Sequence, residues 1–206
     1  VGGPHVLGRE QAEEFADYAD VVVQKEAENL VIPLVNGELE GVVEGTPIES
    51  LDDLPIPNLS LIKDYDKKTW TEYFLSKVIP ISTTRGCPRG CEFCSVSNIH
   101  GKKIRRRSTE KVEKELIKRY EDGYRKLFFT DDNFSIQPEK RIGQLEMLIR
   151  LGEKGLKFKS IAVQDEVPGL LKAGPEYMKM MKRAGITSVM VGVESFEEDV
   201  LKKINK

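Results

Sequence analysis

Short apolar runs alternate with amphipathic stretches along the carboxyl-terminal part of this chain, and the alternation predicts strands and helices in turn. Each of four apolar runs is followed by a stretch in which apolar residues recur at helical spacing. The last three runs begin about 30 residues apart, a spacing typical of repeated strand–helix units and a parallel sheet. The predicted strands are 78–83, 126–132, 158–163 and 187–195, and the predicted helices are Thr109–Asp122, Pro138–Leu151, Pro175–Ala184 and Glu197 to the end.

The ends of these predicted helices carry residues that usually begin and end a helix. Ser108 can accept a hydrogen bond from the first turn of its helix, and Gly123 can close the same helix. Pro138 and Pro175 suit the first position of a helix. Four strand–helix units are fewer than the eight of a closed barrel, and the last helical pattern runs to Lys206. We therefore expect an α/β fold in the form of a partial, truncated barrel.

The amino-terminal part has weaker periodicity. It predicts a helix at 8–19, a short strand at Asp20–Gln24, a second helical stretch at 26–36 and a small hairpin after Gly37. Prolines and acidic residues then make 46–77 the predicted interdomain linker. The chain begins Val-Gly-Gly-Pro-His, without methionine, which is typical of the end of a strand and a following turn. We therefore expect a fragment of a longer protein.

Composition and charge exclude several functional classes. Hydrophobic residues make up 39% and charged residues 32% of the 206 residues, as in ordinary globular proteins. The net charge of −2 provides no overall basic field for nucleic acid, and the basic run Gly101–Ser108 is predicted to be a solvated loop, with an anion site as the alternative. No apolar run approaches the roughly 20 residues of a membrane span, and no signal sequence is visible. We expect a protein of the reducing cytoplasm.

All three cysteines lie in one short segment, at Cys87, Cys91 and Cys94. Soft thiolate ligands select an iron–sulfur cluster, zinc or copper(I). A structural zinc ion would need a fourth ligand, which only His100 could supply nearby. A cluster of four irons held by three thiolates keeps one iron open for a substrate. The alternatives are a zinc site completed by His100, a disulfide with one spare thiol, and chance clustering.

The segment Arg-Gly-Cys-Pro-Arg-Gly-Cys-Glu-Phe-Cys resembles the signature of the radical S-adenosylmethionine enzymes, with Phe93 at the aromatic position before the third cysteine. The resemblance implies that Cys87, Cys91 and Cys94 hold a 4Fe–4S cluster whose open iron binds S-adenosylmethionine. It also implies that an electron from the cluster cleaves this cofactor to a 5′-deoxyadenosyl radical. On this interpretation His100 is not a metal ligand, and Phe93 helps to shape the cofactor site.

The predicted strand ends supply further residues that the resemblance assigns to S-adenosylmethionine binding. Asp131, Asp132 and Asn133 lie at the carboxyl end of the second strand, where members of the family hold the methionyl amino group, although the Gly-Gly-Glu form of that motif is absent here. Glu194 lies at the carboxyl end of the fourth strand and is a candidate acceptor for the ribose hydroxyls. Gln164, after the third strand, is a candidate for lining the same binding site at the carboxyl ends of the strands. The alternatives are a polar turn for Asp131–Asn133, an exposed loop glutamate for Glu194 and a plain polar strand end for Gln164.

The amino-terminal third resembles the end of the cobalamin-binding domain that precedes the barrel in one large subclass of these enzymes. There, Gly-Gly-Pro-His follows a parallel strand, and a later strand leads into a Gly-Glu-x-Glu turn, which reads Lys-Glu-Ala-Glu from Lys25 here. The resemblance implies that residues 1–45 are the carboxyl-terminal part of a Rossmann-like cobalamin-binding domain, 46–77 a linker, and 78–206 the first four strand–helix units of the barrel. In that subclass the Asp-x-His-x-x-Gly motif, whose histidine can ligate cobalt, lies upstream of the segment that matches Val1, and it is absent here. The resemblance therefore implies cobalamin binding for the full-length protein rather than for this fragment.

The implied function is that of a radical S-adenosylmethionine enzyme that activates a C–H bond or transfers a methyl group through cobalamin. The expected partners are a small-molecule substrate and a reducing electron donor such as flavodoxin or ferredoxin. The alternative is a non-catalytic iron–sulfur electron carrier or a zinc-stabilised binding module. Reductive release of 5′-deoxyadenosine would distinguish the enzyme from both alternatives.

Overall fold

The described part of the chain forms two compact units. The computed structural model describes residues 1–6, 8–61 and 78–206. The loop unit consists of the described residues of Val1–Leu51, Arg85–Arg105 and Ser195–Lys206. The sheet unit consists of the described residues of Asp52–Thr84 and of Arg106–Glu194.

Helices and strands alternate along both units. The described helices are α1 (Arg9–Ala16), α2 (Val31–Val35), α3 (Val96–His100), α4 (Thr109–Glu121), α5 (Ile142–Glu153), α6 (Val167–Arg183) and α7 (Glu198–Lys203). The strands are β1 (Val21–Gln24), β2 (Gly41–Glu44), β3 (Val78–Ile81), β4 (Thr84–Arg85), β5 (Arg105–Arg106), β6 (Lys126–Phe129), β7 (Ser160–Glu166) and β8 (Ile186–Gly192). Short 3-10 turns lie at Pro4–Val6, Glu28–Leu30, Leu51–Asp53, Leu59–Leu61 and Pro138–Lys140. None of the described helices combines the length and the apolar character needed to cross a membrane.

A parallel sheet of four strands, in the order β3-β6-β7-β8, lies at the centre of the sheet unit. The strands pair in sequence order, with Ile79 opposite Leu127 and Leu127 opposite Ile161. These strand residues pack with Leu116 of α4 and Leu145 of α5 in one buried core. The four apolar runs are therefore strands with helices between them, which confirms the predicted α/β fold.

In the loop unit, β1 and β2 pair in parallel, with Val22 opposite Val42. The first residues lie beside β1, because Gly2 forms a parallel bridge to Val23. The helix and the strand predicted in this stretch are confirmed as α1 and β1. The hairpin predicted after Gly37 is wrong. The crossover through α2 carries the chain back to the end at which β1 begins, so β2 runs parallel to it.

The structure differs from the predicted elements around Gly174. A helical segment that was not predicted, 167–173, precedes Gly174, whose φ of 78° and ψ of 173° are not helical. The predicted helix follows as the second segment of α6, and Pro175 starts it, as predicted, where its missing amide hydrogen does no harm. The third strand also continues beyond its predicted end at Val163 as far as Glu166.

The predicted cap and closing glycine of α4 are confirmed, whereas the helix predicted over Pro138–Leu151 is observed as Ile142–Glu153 and the one predicted from Glu197 to the end as Glu198–Lys203. The Ser108 hydroxyl accepts a hydrogen bond from the amide of Lys111 over 3.3 Å and caps α4. Gly123 follows the same helix with a φ of 92°, a conformation that glycine adopts without strain. Pro138 opens the short 3-10 turn that leads into α5.

The predicted linker lies partly in the described chain. Residues 46–61 are described, and the division between the two units falls after Leu51. In the sheet unit the carbonyl oxygen of Pro57 accepts a hydrogen bond from Arg119 Nη2 over 2.8 Å. The rest of the predicted linker, 62–77, lies outside the described residues.

Candidate functional site

The cysteine loop, defined here as residues 85–105, carries all three thiols and the short helix α3. The chain turns at Gly86, which has a φ of 96°. A side chain there would place its Cβ 2.3 Å from the carbonyl oxygen of Lys103. The amide of Cys87 donates to the carbonyl oxygen of Gly101 over 3.2 Å. Position 86 therefore requires glycine, because the backbone conformation and the close approach of the opposite side of the loop both exclude a side chain.

The three thiols are half-buried, and none is joined in a disulfide. The amide of Cys94 donates to the carbonyl oxygen of Cys91 over 3.0 Å, which folds the second half of the motif into a turn. Phe93, between them, is 58% exposed. Across the described residues, no three His, Cys, Asp or Glu side chains are gathered as a metal site. By donor chemistry the set fits an iron–sulfur cluster, because one loop offers three soft ligands.

A buried carboxylate, Glu26, binds residues at both ends of the cysteine loop. Only 1% of its side chain is exposed, and 5% of the side chain of Arg105, its main partner. The pair is bidentate: Arg105 Nη2 lies 2.5 Å from Oε1, and Nη1 lies 2.8 Å from Oε2. At the other end of the loop, Arg85 Nη1 lies 3.3 Å from Oε2. The Ile48 amide donates to Oε2 over 2.9 Å, so this charge is buried with a full set of donors.

The imidazole of His100 contacts the same carboxylate, with Nδ1 2.8 Å from Glu26 Oε1. Arg105 Nη2 also donates to the carbonyl oxygen of His100 over 2.9 Å. Burial alone would raise the pKa of Glu26, but hydrogen bonds from Arg105, the Ile48 amide and His100 outweigh burial and lower the pKa from 4.5 to about 2. Glu26 is therefore ionised throughout the neutral pH range.

The prediction that Gly101–Ser108 is a solvated basic loop is wrong for its arginines. Arg105 is buried against Glu26. Arg107, whose side chain is 9% exposed, has Nη1 2.5 Å from Glu115 Oε2 within the sheet unit. A run of charges has the same appearance in a sequence whether its members face water or buried partners, so the acidic partners were not predictable from this segment alone.

In the sheet unit, the buried carboxylate of Asp131 follows β6 and holds the chain that follows β3. Its Oδ1 accepts hydrogen bonds from the amides of Thr83 over 2.6 Å and Thr84 over 2.9 Å, and Oδ2 accepts one from the Thr83 hydroxyl. Arg141 Nη2 lies 2.8 Å from Oδ2, and neither side chain of this ion pair is exposed. Both oxygens of Asp131 are therefore engaged by the protein.

Asn133 is buried two positions further on, whereas Asp132 is half-buried. The side-chain oxygen of Asn133 has no hydrogen-bond partner among the described residues. An unsatisfied buried acceptor costs about 1–3 kcal/mol, so such an atom usually has a ligand or an ordered water as its partner. Asn133 thus offers an acceptor that Asp131 does not.

Strand β7 ends in three consecutive polar residues. Gln164 is half-buried, and its carbonyl oxygen accepts a hydrogen bond from the Phe134 amide over 3.0 Å. Asp165 and Glu166, which sequence reasoning missed, are buried. Asp165 Oδ1 accepts from the amides of Ser135 over 3.2 Å and Glu166 over 3.0 Å. Burial raises the pKa of Asp165, although these hydrogen bonds act in the opposite direction. The available signal was the acidic pair one residue after an apolar run.

Glu194 lies just beyond Gly192, the end of β8, and is exposed. Its φ of 63° is in the left-handed region, which is uncommon for residues other than glycine and concentrates at functional sites. The candidate residues of the sheet unit therefore lie at or after the carboxyl ends of three neighbouring parallel strands, β6, β7 and β8. In α/β folds this edge of the sheet is where ligands bind.

Comparison with known proteins gives one family. Residues 81–206 match the family model described as the radical SAM superfamily. The chain is 29% identical over 184 residues to bacteriochlorophyllide d C-12(1)-methyltransferase of Chlorobaculum tepidum, covering 87% of this chain and 37% of that protein. It is 31% identical over 230 residues to an uncharacterized methyltransferase of Pyrococcus horikoshii, covering 100% of this chain and 47% of the relative. It is 32% identical over 178 residues to hopanoid C-3 methylase of Methylococcus capsulatus, covering 82% of this chain and 32% of that protein. The chain therefore spans less than half the length of these curated relatives.

Solved structures show the same fold at lower identity. The cobalamin-dependent S-adenosylmethionine radical enzyme OxsB, with aqua-cobalamin and S-adenosylmethionine bound, aligns with a TM-score of 0.71 at 20% identity over 100% of this chain and 32% of its own. The radical S-adenosylmethionine methyltransferase TsrM of Kitasatospora setae aligns with a TM-score of 0.57 at 18% identity, covering 63% of this chain and 25% of its own. Because the family match runs from the last residue of β3 to the end of the sequence, more than half of the chain, this protein belongs to the radical S-adenosylmethionine superfamily.

Proposed function

We propose that the complete protein is a cobalamin-dependent radical S-adenosylmethionine methyltransferase and that this chain supplies its cluster and part of its S-adenosylmethionine site. The observation that carries the proposal is the cysteine loop itself. Three thiols, outside any disulfide, occupy one glycine-turned loop directly after the first strand of a parallel sheet. The relatives named above as methyltransferases or methylases favour methyl transfer over other radical chemistry.

In this proposal Cys87, Cys91 and Cys94 hold a 4Fe–4S cluster. When bound and reduced, such a cluster supplies the electron that cleaves S-adenosylmethionine to a 5′-deoxyadenosyl radical and methionine. The protein's own part is to hold the three thiolates on one loop and to keep the fourth iron clear of side chains. The proposal leaves His100 out of the ligand set, because it assigns the open iron to S-adenosylmethionine. Phe93, exposed between two of the cysteines, would contact the cofactor through its ring.

The polar strand ends are the proposed binding groups for S-adenosylmethionine. The Asn133 side-chain oxygen is the strongest candidate of the group after β6, because it is buried and has no partner among the described residues. Asp132, directly before it in the sequence, is half-buried. Asp131 would act through the backbone that it holds at Thr83 and Thr84. Glu194 and Gln164 remain the proposed contacts at the ends of β8 and β7.

The rest of the proposal concerns the complete protein. Residues 1–45 would be the carboxyl-terminal part of a cobalamin-binding domain, 46–77 a linker and 78–206 the first part of the barrel. Alignment of OxsB over the whole chain supports this division, since that enzyme was solved with cobalamin bound. A small-molecule substrate, an electron donor such as flavodoxin or ferredoxin and a cytoplasmic location complete the proposal.

The test uses the complete gene product, purified and reconstituted without oxygen. After reduction with dithionite, we expect it to convert S-adenosylmethionine to 5′-deoxyadenosine and methionine, and we expect serine substitution of any one of the three cysteines to abolish this reaction. Cobalamin retained through purification, together with label transferred from methyl-labelled S-adenosylmethionine to product, would support methyl transfer. Zinc in place of iron, or a cluster that leaves S-adenosylmethionine intact, would contradict the proposal and indicate a zinc-stabilised module or an electron carrier.

A further inference from the structure

The carboxylate of Glu26 joins the two ends of the cysteine loop within the loop unit. At the amino end of the loop, Arg85 is two residues before Cys87, and its Nη1 lies 3.3 Å from Glu26 Oε2. At the carboxyl end, Arg105 makes the bidentate pair described above, and His100 Nδ1 lies 2.8 Å from Oε1. One side chain from outside the loop therefore contacts residues on both sides of the three cysteines.

The contacts continue from these residues to the thiol-bearing backbone. Arg105 Nη2 donates to the carbonyl oxygen of His100 over 2.9 Å, which fixes the end of α3. The next residue, Gly101, accepts a hydrogen bond from the Cys87 amide over 3.2 Å. The Gly86 turn brings the chain so close to Lys103 that no side chain fits between them. A displacement of Arg105 would therefore be transmitted to the backbone of the first cysteine.

Burial makes this arrangement rigid. Removing one partner of a buried ion pair typically costs about 3–5 kcal/mol, because the remaining charge is left in a place that water does not reach. Neither Glu26 nor Arg105 can turn outward without this cost, since their side chains are 1% and 5% exposed. A second link supports the amino end: Arg85 Nη2 lies 2.6 Å from Glu28 Oε1, on the same turn as Glu26.

The local backbone also accepts strain to present this side chain. Lys25, directly before Glu26, has a φ of 59°, a left-handed conformation that costs a residue other than glycine about 1–2 kcal/mol. The carbonyl oxygen of Glu26 passes so close to Gly45 that a Cβ there would lie 1.7 Å from it. Strain of this kind persists where the surrounding structure imposes it, and it is concentrated at functional sites.

We propose that Glu26 is a positioning residue for the iron–sulfur site: it holds the two ends of the cysteine loop together so that the three thiolates retain iron. This inference rests on the proposed function, because it assumes that the loop binds a cluster. Glu26 touches neither the cluster nor a cysteine in this proposal, and it acts through Arg85, His100 and Arg105.

Glu115 provides a matched control in the sheet unit. It is 3% exposed and lies between two arginines, 2.5 Å from Arg107 and 3.2 Å from Arg119, so it resembles Glu26 in burial and pairing. It lies on α4, outside the cysteine loop. Glu115→Gln therefore removes a comparable buried charge without changing the residues that flank the cysteines.

The experiment compares the reconstituted complete protein with its Glu26→Gln and Glu115→Gln variants, without oxygen. Iron is extracted by an excess of a ferrous chelator, the electron paramagnetic resonance spectrum of the reduced cluster is recorded, and thermal unfolding is measured in parallel. We expect both variants to unfold at lower temperature. Only Glu26→Gln should also release iron about 10-fold faster than wild type and change the spectrum, as substitutions of groups that orient metal ligands do.

Equal release rates and unchanged spectra for Glu26→Gln, Glu115→Gln and wild type would overturn the inference, even where both variants lose stability. If Glu26→Gln does not fold, Arg85→Gln replaces it, because it removes only the link at the amino end and leaves the Glu26–Arg105 pair intact. Faster iron release from Arg85→Gln supports the inference, and a wild-type rate overturns it. A wild-type protein that takes up no iron refutes the proposed function itself, whereas a stable cluster insensitive to Glu26 refutes only this inference.

Discussion

Replacement of Asp131 by asparagine tests whether this carboxylate stabilises the fold or is available to bind a ligand. In the structure it is bound by the protein itself. Asparagine keeps one oxygen for the amides of Thr83 and Thr84, but it loses the negative charge opposite Arg141. Arg141 keeps hydrogen bonds to the Phe134 carbonyl and to other neutral groups, yet its charge becomes uncompensated where no part of the side chain is exposed.

The expected loss of stability follows from this burial. Removal of one partner from a buried ion pair costs about 3–5 kcal/mol. A second arginine increases the effect. Burial and repulsion by Arg141 lower the pKa of Arg106 to about 10, while Asp131 acts in the opposite direction. Without Asp131 the pKa of Arg106 falls further. For a urea dependence of about 2 kcal/mol per molar, the midpoint of unfolding should fall by roughly 2 M.

The assay is urea unfolding of wild type, Asp131→Asn and Asp199→Asn, followed by circular dichroism. Asp199→Asn is the same chemical change at an exposed residue in the first turn of α7, and it should cost less than about 1 kcal/mol. An Asp131→Asn variant within about 1 kcal/mol of wild type would refute the reasoning. It would mean that Asp131 does not neutralise Arg141 and that its carboxylate is available to a ligand.

Three further substitutions or conditions test other features of the fold. Gly86→Ala should lower the free energy of unfolding by about 2 kcal/mol or more, because the φ at this position is 96° and the new Cβ would lie 2.3 Å from the Lys103 carbonyl oxygen. Gly143→Ala is the control: this glycine lies in a helix and its Cβ would make only an ordinary contact at 3.7 Å, so the substitution should raise the free energy of unfolding by about 0.5–1 kcal/mol. Lys25→Gly should leave stability unchanged or raise it by up to about 1 kcal/mol, since glycine adopts the φ of 59° without strain; a loss greater than about 1 kcal/mol would contradict the assigned backbone conformation. Because the pKa of Glu26 is lowered from 4.5 to about 2 on folding, its carboxylate stabilises the protein by about 3 kcal/mol above pH 4.5, and this contribution is lost as the pH falls toward 2. The difference in unfolding midpoint between wild type and Glu26→Gln should therefore shrink over that range, and a constant difference would count against the assigned pKa.

The fold was predictable from the sequence where local pattern and tertiary position agree. The runs that became β3, β6 and β7 are apolar because alternate residues of each strand are buried in the core, whereas β8 reads as a strand from its apolar run although most of its residues are exposed. Each of the four runs is followed by a helix, which also agrees with the predicted pattern. The first segment of α6 was missed because it is short and directly follows a strand, whereas the second was found from Pro175, which marks its start. The parallel pairing of β2 was missed because strand direction depends on the crossover, which leaves no periodicity of its own.

The candidate site was also predictable from the sequence only in part. The cysteines could be found from the sequence because their chemistry and spacing are local. The residues that hold the loop, Glu26 and Arg105, are separated from each other by most of the amino-terminal half of the chain, and each looks like an ordinary surface charge in isolation. The acidic group at 131–133 was expected to bind a cofactor as a set. The structure distinguishes its members, because Asp131 is engaged on both oxygens while Asn133 has a free acceptor among the described residues.

Two buried carboxylates, Asp131 and Glu26, bind the residues that precede the Gly86 turn. In the proposed site the three cysteines turn toward one cluster, and a long helix or strand could not direct all three thiols to it. Asp131 fixes Thr83 and Thr84 within the sheet unit, and Glu26 binds the next residue, Arg85, within the loop unit. The three residues before the Gly86 turn are thus each bound by a buried acid. Charge-assisted hydrogen bonds, which are about twice as strong as neutral ones, hold these residues in addition to the short strand β4. The acid after β6 therefore orders the backbone at Thr83 and Thr84, the residues that directly precede the cysteine loop in the sequence.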